Sequence, residues 1–281
     1  VYTHDVSGTD NTAAGNTAYG LTALDAITTG DNNTAIGYGA GTSTNSGGNN
    51  VFVGKNAGAA HTTSHQNVLI GSEAGSSITT GGDNVIIGRE AGDGYDAESH
   101  NVAIGTGALG GSVAGGEYNI AIGSYAGDAL TSGDHNVTVG YGSLTDFSGG
   151  GAVEGQNACF GSNAGGQLTS GYQNICIGHS AGNGAGDGVG ADPTTGYRNI
   201  LIGPYSNTNG AANNHAIVMG YAIDGLGDRF TFGKPSNIVY NSFTSNNTWT
   251  QSSDERKKKN IEDAVLGLDF INDLRTVTFE W

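Results

Sequence analysis

Side chains able to do chemistry recur in this chain at one spacing. Cys159 and Cys176 lie seventeen residues apart, and so do the carboxylates Glu73 and Glu90. Two stacked thiols could form a disulfide, but a pair stacked in flat strands fits disulfide torsions poorly, so they read as two small buried hydrophobes. Paired carboxylates could cleave glycans if they faced a groove. Glu73 and Glu90 fall at an exposed register and read as solvated. His61 and His65 share a turn, while His100 and His135 each precede an Asn two coils apart. No pair has convincing metal-ligand spacing, so the histidines read as surface turn residues, and neither a metal nor a cofactor is expected. Tyr38, Tyr141, Tyr205 and Tyr221 are candidate receptor-binding residues, because exposed aromatic faces stack on sugars.

The elements that must position these groups come from a repeat. Gly20, Gly37, Gly54, Gly71, Gly88, Gly105, Gly123, Gly140, Gly161, Gly178, Gly203 and Gly220 form a ladder whose period is 17 residues in eight of eleven steps. The other three steps are longer by one, four and eight residues. Four residues before each glycine stands an Asn (Ala216 in the twelfth unit), and between them lie three mostly apolar residues. Such a unit, exemplified by Asn84-Val85-Ile86-Ile87-Gly88, is a short strand bounded by turn residues. The period is too short for a helix pair and suits one coil of a parallel β-solenoid with two or three short strands. Gly and Asn are expected to supply the positive φ of the corners. Ala40, Ala57, Ala74, Ala91, Ala108, Ala126, Ala164 and Ala181 recur three residues past the glycine and predict a tight interior corner. Stacking predicts an Asn ladder and a rod about 55 Å long, at ~4.8 Å per coil.

Alternation along the strand sorts the faces. The first and third residues after Asn, such as Val68 and Ile70, are expected to face the core of the coil. The middle residues then point outward, yet Phe52, Leu69, Ile86, Cys159, Cys176, Leu201 and Val218 are apolar. Strands apolar on both faces are buried on both faces. The outer face is therefore expected to pack against identical chains, as a homotrimer.

Composition bounds the partners. Glycine takes 51 of 281 positions, and the net charge is −16. Residues 1–252 carry 5 basic and 19 acidic side chains. That balance argues against nucleic acid and anionic membranes. No apolar run is long enough for membrane insertion, no signal peptide is visible, and the start at Val1 reads as a fragment or processed product.

The unit Asn101-Val102-Ala103-Ile104-Gly105, with its following alanine, resembles the head repeats of trimeric autotransporter adhesins. That resemblance covers roughly residues 16–222 and implies a trimeric left-handed parallel β-roll. The period here is longer, and the insertions at 144–156 and 183–198 are expected to project as loops, where recognition commonly resides.

After Gly227 the pattern changes. Arg229-Phe230-Thr231-Phe232 and Asn237-Ile238-Val239-Tyr240 read as strands of a neck, with Trp249 nearby. From Asn260 to about Leu274, Ile261, Val265, Leu268 and Ile271 recur at helical spacing, and Thr276–Trp281 reads as a strand. Read alone, Ser253 and the run Arg256–Lys259 form a solvated basic segment. The residues Ser253, Asp254, Arg256, Lys258, Asn260 and Ile261, followed by Leu274, Arg275, Val277, Phe279 and Trp281, resemble the opening of the intramolecular chaperone domain of endosialidases and other phage tail fibres. That resemblance implies a domain that trimerises, guides folding of the fibre and then cuts itself off, with Ser253 as nucleophile and Lys258 as base. A hydroxyl beside a desolvated lysine can do such chemistry.

The expected organisation is a lead-in (1–15), a repeat rod (16–222), a β-rich neck (223–252) and the start of a chaperone domain (253–281). The fold class is all-β, a parallel β-solenoid or β-roll forming a homotrimeric fibre, with a short helix-containing chaperone segment. The expected function is a bacteriophage tail fibre or spike that attaches to a host-surface receptor, with glycan as its class. Its partners would be itself and other virion tail proteins, and its place the virion tail after assembly in the host cytoplasm. No enzyme acting on an external substrate is expected beyond self-cleavage. The alternatives are a bacterial trimeric adhesin and a glycan depolymerase spike.

Overall fold

The computed structural model describes residues 12–111, 116–148, 155–183, 194–244 and 250–251. Among them there is no helix. Each coil contributes one three-residue strand, from β1 (Thr17–Tyr19), β2 (Thr34–Ile36), β3 (Val51–Val53) and β4 (Val68–Ile70) onward. The series continues through β5 (Val85–Ile87), β6 (Val102–Ile104), β7 (Ile120–Ile122) and β8 (Val137–Val139). It then reaches β9 (Ala158–Phe160), β10 (Ile175–Ile177) and β11 (Ile200–Ile202). All pair in parallel and in register, as Val68, Leu69 and Ile70 do with Val85, Ile86 and Ile87. The chain is a parallel β-solenoid of about twelve turns. Among the described residues, only at the end does a second strand per coil pair, β12 (Asn207–Thr208) with β14 (Asp224–Gly225). Elsewhere the expected additional strands are replaced by turns that bond coil to coil, for example Leu24 N–H to Ala40 O at 3.1 Å and Gly41 N–H to Ala57 O at 2.9 Å.

The face assignment is the reverse of the sequence expectation. The middle residue of each strand points into the coil: Ala35, Phe52, Leu69, Ile86, Ala103, Ala121, Cys159, Cys176, Leu201 and Val218 are fully buried. The first and third residues point outward. The physical reason lies one residue earlier. The ladder Asn is itself buried, so the period of two places its +2 neighbour inside and its +1 and +3 neighbours outside. The alternation was right, but its origin was set at the wrong residue. Apolar residues on both faces remain, and the outward set is now Val51, Val53, Val68, Ile70 and their successors. Ile120, Ile122, Phe160, Ile175, Ile177 and Met219 are still 36–41% exposed despite neighbours above and below.

The Asn ladder is continuous. From Asn33 to Asn199, each ladder Asn N–H donates to the Oδ1 of the Asn one coil earlier, and Ala216 N–H closes the series, all at 2.8–3.1 Å. The Nδ2 groups donate onward to turn carbonyls, as Asn67 does to Gly81 O at 2.9 Å. Ala216, with no amide to offer, ends the ladder.

Inside, the alanines three past each glycine are fully buried, as their register predicts. Ile27, Thr44, His61, Ile78, Tyr95, Leu130, Phe147 and Leu168 occupy the next buried column. Phe147 shows that residues 144–148 belong to the coil rather than to a projecting loop. Residues 155–156 and 194–198 likewise bond to the neighbouring coils, as Gln156 N–H does to Asp134 O and Arg198 N–H to Tyr172 O, while 149–154 and 184–193 lie outside the described residues.

Most corners before the ladder Asn depart from glycine and Asn chemistry. Asn32, Asn49, Gln66, Asp83, His100, Tyr118, His135, Gln156, Gln173, Arg198 and His215 all adopt φ of 56–65°. A left-handed conformation is costly for most of these residue types. Each coil holds its successor there by a backbone bond: His135 N–H, for example, donates to Glu117 O at 3.1 Å.

The rod ends by continuing its own sheet. β13 (Ile217–Gly220) pairs in parallel with β15 (Arg229–Lys234), which turns back antiparallel into β16 (Asn237–Ser242) and β17 (Thr250–Gln251). The two expected neck strands are thus present, and the first serves as a further rung. The expected helix and strand after Asn260 lie outside the described residues.

Candidate functional site

The exposed positions just past the glycine carry the first set of candidates. Tyr205 meets Tyr221 edge-on with ring centres 6.2 Å apart, and His179 meets Tyr205 edge-on at 5.1 Å. Tyr141 packs edge-on against Tyr125 at 6.2 Å. The rod therefore carries two short aromatic clusters on one line, built because this register is the outer corner of every coil. Tyr38 is 55% exposed but has no ring partner among the described residues, so it stands apart from both clusters.

A second aromatic line runs along the corner before the ladder Asn. Tyr118 is stacked between His100 at 4.8 Å and His135 at 5.0 Å, with the planes within 10°. Tyr172 and Tyr197 stack at 4.9 Å and 4°. Reading the histidines only as surface turn residues missed this line. Its signal was available, since these rings recur one or two residues before successive ladder Asn residues.

The carboxylate pair does not form a catalytic dyad. Glu73 is bonded to Lys55 at 3.3 Å, and Glu90 pairs with its neighbour Arg89. Burial, and then Glu90, raise Asp93 above the usual carboxylate range. Among the described residues no group of three His, Cys, Asp or Glu is gathered as metal ligands. Cys159 and Cys176 are register partners in the core, and both thiols are free. A hydrogen bond with the Cys176 thiol, followed by burial, pushes the Cys159 thiol well up.

His61 is a correction. It was read as a surface turn residue, yet it is fully buried in the column that holds Ile27 and Ile78. Ser64 Oγ lies 2.5 Å from its Nε2, Thr44 Oγ1 lies 3.3 Å from its Nδ1, and Phe52 packs edge-on at 4.9 Å. A serine on an imidazole has the form of an activated nucleophile, but this pair is sealed in the core and its third partner is a hydroxyl. The arrangement satisfies buried polar groups instead. Burial, with a further contribution from His65, lowers the His61 pKa from 6.5 to about 4. The neutral ring is favoured in the folded chain, so its stabilisation is complete above pH 6.5 and is lost as pH falls through about 4. The shift corresponds to about 3 kcal/mol. Urea denaturation at pH 7.5 and pH 4 is expected to show a loss of this order. His61→Ile, which matches the column's other residues, is expected to remove most of that pH dependence.

Ser253 and Lys258 lie outside the described residues. Among those described, no helix is long and apolar enough to cross a membrane. The chain matches no protein-family model, no curated protein and no solved structure, so the reading of its function rests on its own residues and geometry.

Proposed function

We propose that this chain is the rod of a homotrimeric attachment fibre of the bacteriophage tail type, folded with the help of a self-cleaving segment that begins at Ser253. The observation that carries the reading is the outward apolar ladder. From β3 to β13 the first and third residues of the stacked strands are all apolar, mostly Val and Ile, on a face that a lone, acidic solenoid would fill with polar residues. A contiguous apolar strip of this kind marks an interaction surface. Its natural partner is another copy, because only a chain with the same coil spacing matches the strip rung for rung. Copies related by an axis along the rod would bury all the strips at once, and closed cyclic symmetry would end the assembly. The exposed aromatic clusters support a role in holding a host-surface glycan. The tail-fibre assignment, and with it the place in the virion tail, rests on the resemblance of residues 253–281 to the chaperone opening.

Expression from the complete gene, with light scattering and mass spectrometry, tests both parts. The rod is expected at three times the chain mass, and a monomer overturns the trimer. Ser253→Ala is expected to remain uncut where the wild type loses the segment from residue 253 onward. Identical intact chains overturn self-cleavage.

A further inference from the structure

The parallel stack of rings along the second corner stops at Tyr197. The next ring, His215, stands at 85° to it with centres 5.4 Å apart, and there a cleft of about 560 Å³ opens, lined in part by Tyr197, Asn213, Asn214, His215, Asp228 and Arg229. A space of this size suits a small ligand. We infer that this cleft binds a short neutral oligosaccharide. The inference deepens the reading of the rod as an attachment fibre, and it uses none of the tyrosines past the glycine ladder.

The chemistry of the walls selects the ligand. Sugar hydroxyls donate and accept, so they are held best by planar side chains offering both roles beside an aromatic ring. Asn214 Oδ1 accepts from Tyr197 N–H at 2.9 Å, which fixes the amide and turns its Nδ2 donors elsewhere. Asn213 Nδ2 donates to Asn209 Oδ1 at 2.8 Å, which leaves its own Oδ1 as an acceptor. His215 Nδ1 lies 3.3 Å from Asp228 Oδ1, so Nε2 and the second carboxylate oxygen are the remaining polar positions of that pair. Asn213, Asn214, His215 and Asp228 therefore bring both donor and acceptor groups to one cleft, and each is already oriented by a bond to a neighbour. The Asp228 carboxylate lines this space in a chain of net charge −16, so an anionic ligand would meet both a nearby like charge and the field of the whole chain. A neutral polyhydroxyl ligand meets neither penalty.

The test is binding of the full-length chain to an array of neutral hexose and N-acetylhexosamine oligosaccharides, with sialylated and sulfated glycans beside them. Neutral members are expected to bind, and both Asp228→Asn and Tyr197→Ala to weaken that binding tenfold or more. Asp228 has φ of 54°, which asparagine tolerates, so Asp228→Asn should keep its unfolding midpoint and carries the test if Tyr197→Ala is unstable. Binding confined to the acidic glycans overturns the inference, and so does the absence of binding by the wild type. If binding is lost only in Tyr141→Ala or Tyr221→Ala, the ligand belongs to the other aromatic line; the cleft is then overturned while the attachment reading stands. Failure of the attachment reading itself would show in the trimer and cleavage measurements instead.

Discussion

Gly88→Ala is expected to destabilise the rod by more than about 3 kcal/mol, placing it among the severe single substitutions. Gly88 has φ of 145°, and a Cβ added there would fall 2.3 Å from Gly105 O and 2.6 Å from Gly105 C. Both atoms belong to the backbone of the next coil, which cannot retreat without breaking its own register. Conformational strain and steric overlap therefore add. Gly82→Ala is the control, since its Cβ would approach His65 O at only 3.1 Å, with no left-handed φ to hold. That change is expected to cost less than about 1 kcal/mol, as a small adjustment absorbs it. Urea denaturation of the two variants checks the contrast. Because each coil is stabilised mainly by its neighbours, Gly88→Ala should also separate the unfolding of the coils on either side, visible as a broadened transition. Equal midpoints for the two variants would show that the ladder glycines are not required by close coil contact.

The same ladder explains what could be read from the sequence. Glycine at fixed spacing, preceded by Asn and three apolar residues, specified the parallel solenoid, its register and the buried alanine corner, because those follow from periodicity alone. The inside and outside of the strand did not follow from it. Apolar residues at +1, +2 and +3 from Asn carry no polarity signal, and the choice turns on whether Asn faces water or the core. The amide side chain is polar, so exposure was the natural expectation, yet stacking lets each amide satisfy its neighbours and makes burial the stable state. His61 escaped for a similar reason: Ser64 and Asn67 follow it closely and Thr44 lies one coil back, but they read as partners of a buried imidazole only once this column is known to face the core. The outer-corner tyrosines were legible as exposed, but their gathering into pairs required the coil geometry. The Tyr197 cleft was not legible at all, because it forms where the rod turns from regular coils into the β15–β16 hairpin.

Asn84→Ala is the second large expected effect, about 2–4 kcal/mol. Asn84 makes three bonds within the coil. Its N–H donates to Asn67 Oδ1 at 3.0 Å, its Nδ2 donates to Glu98 O at 2.9 Å, and its Oδ1 accepts from Asn101 N–H at 2.9 Å. Alanine keeps the first and removes the other two. Asn101 N–H is then left inside a packed coil without its acceptor, at a cost of about 1–3 kcal/mol, and the bond given to Glu98 O, about 0.5–1.5 kcal/mol, is lost as well. Ala216 shows where alanine is tolerated: at the last position of the ladder, where its backbone N–H donates to Asn199 Oδ1 and no further ladder residue needs an acceptor from it. Asn84→Asp separates the acceptor role from the donor role. The carboxylate still accepts from Asn101 N–H, but it faces Glu98 O with no hydrogen to offer, and it is a buried charge. Its pKa should therefore be raised in the folded rod. Stability that depends on the protonated form is fully present below the unfolded carboxyl pKa and is lost as pH rises through the folded one. Asn84→Asp is thus expected to be as damaging as Asn84→Ala at pH 7.5 and to recover toward pH 4, while Asn84→Ala shows no such recovery. Denaturation midpoints of the two variants at both pH values decide the matter. Parallel pH behaviour would mean that the amide's donor contributes little and that the ladder is held by its acceptors alone.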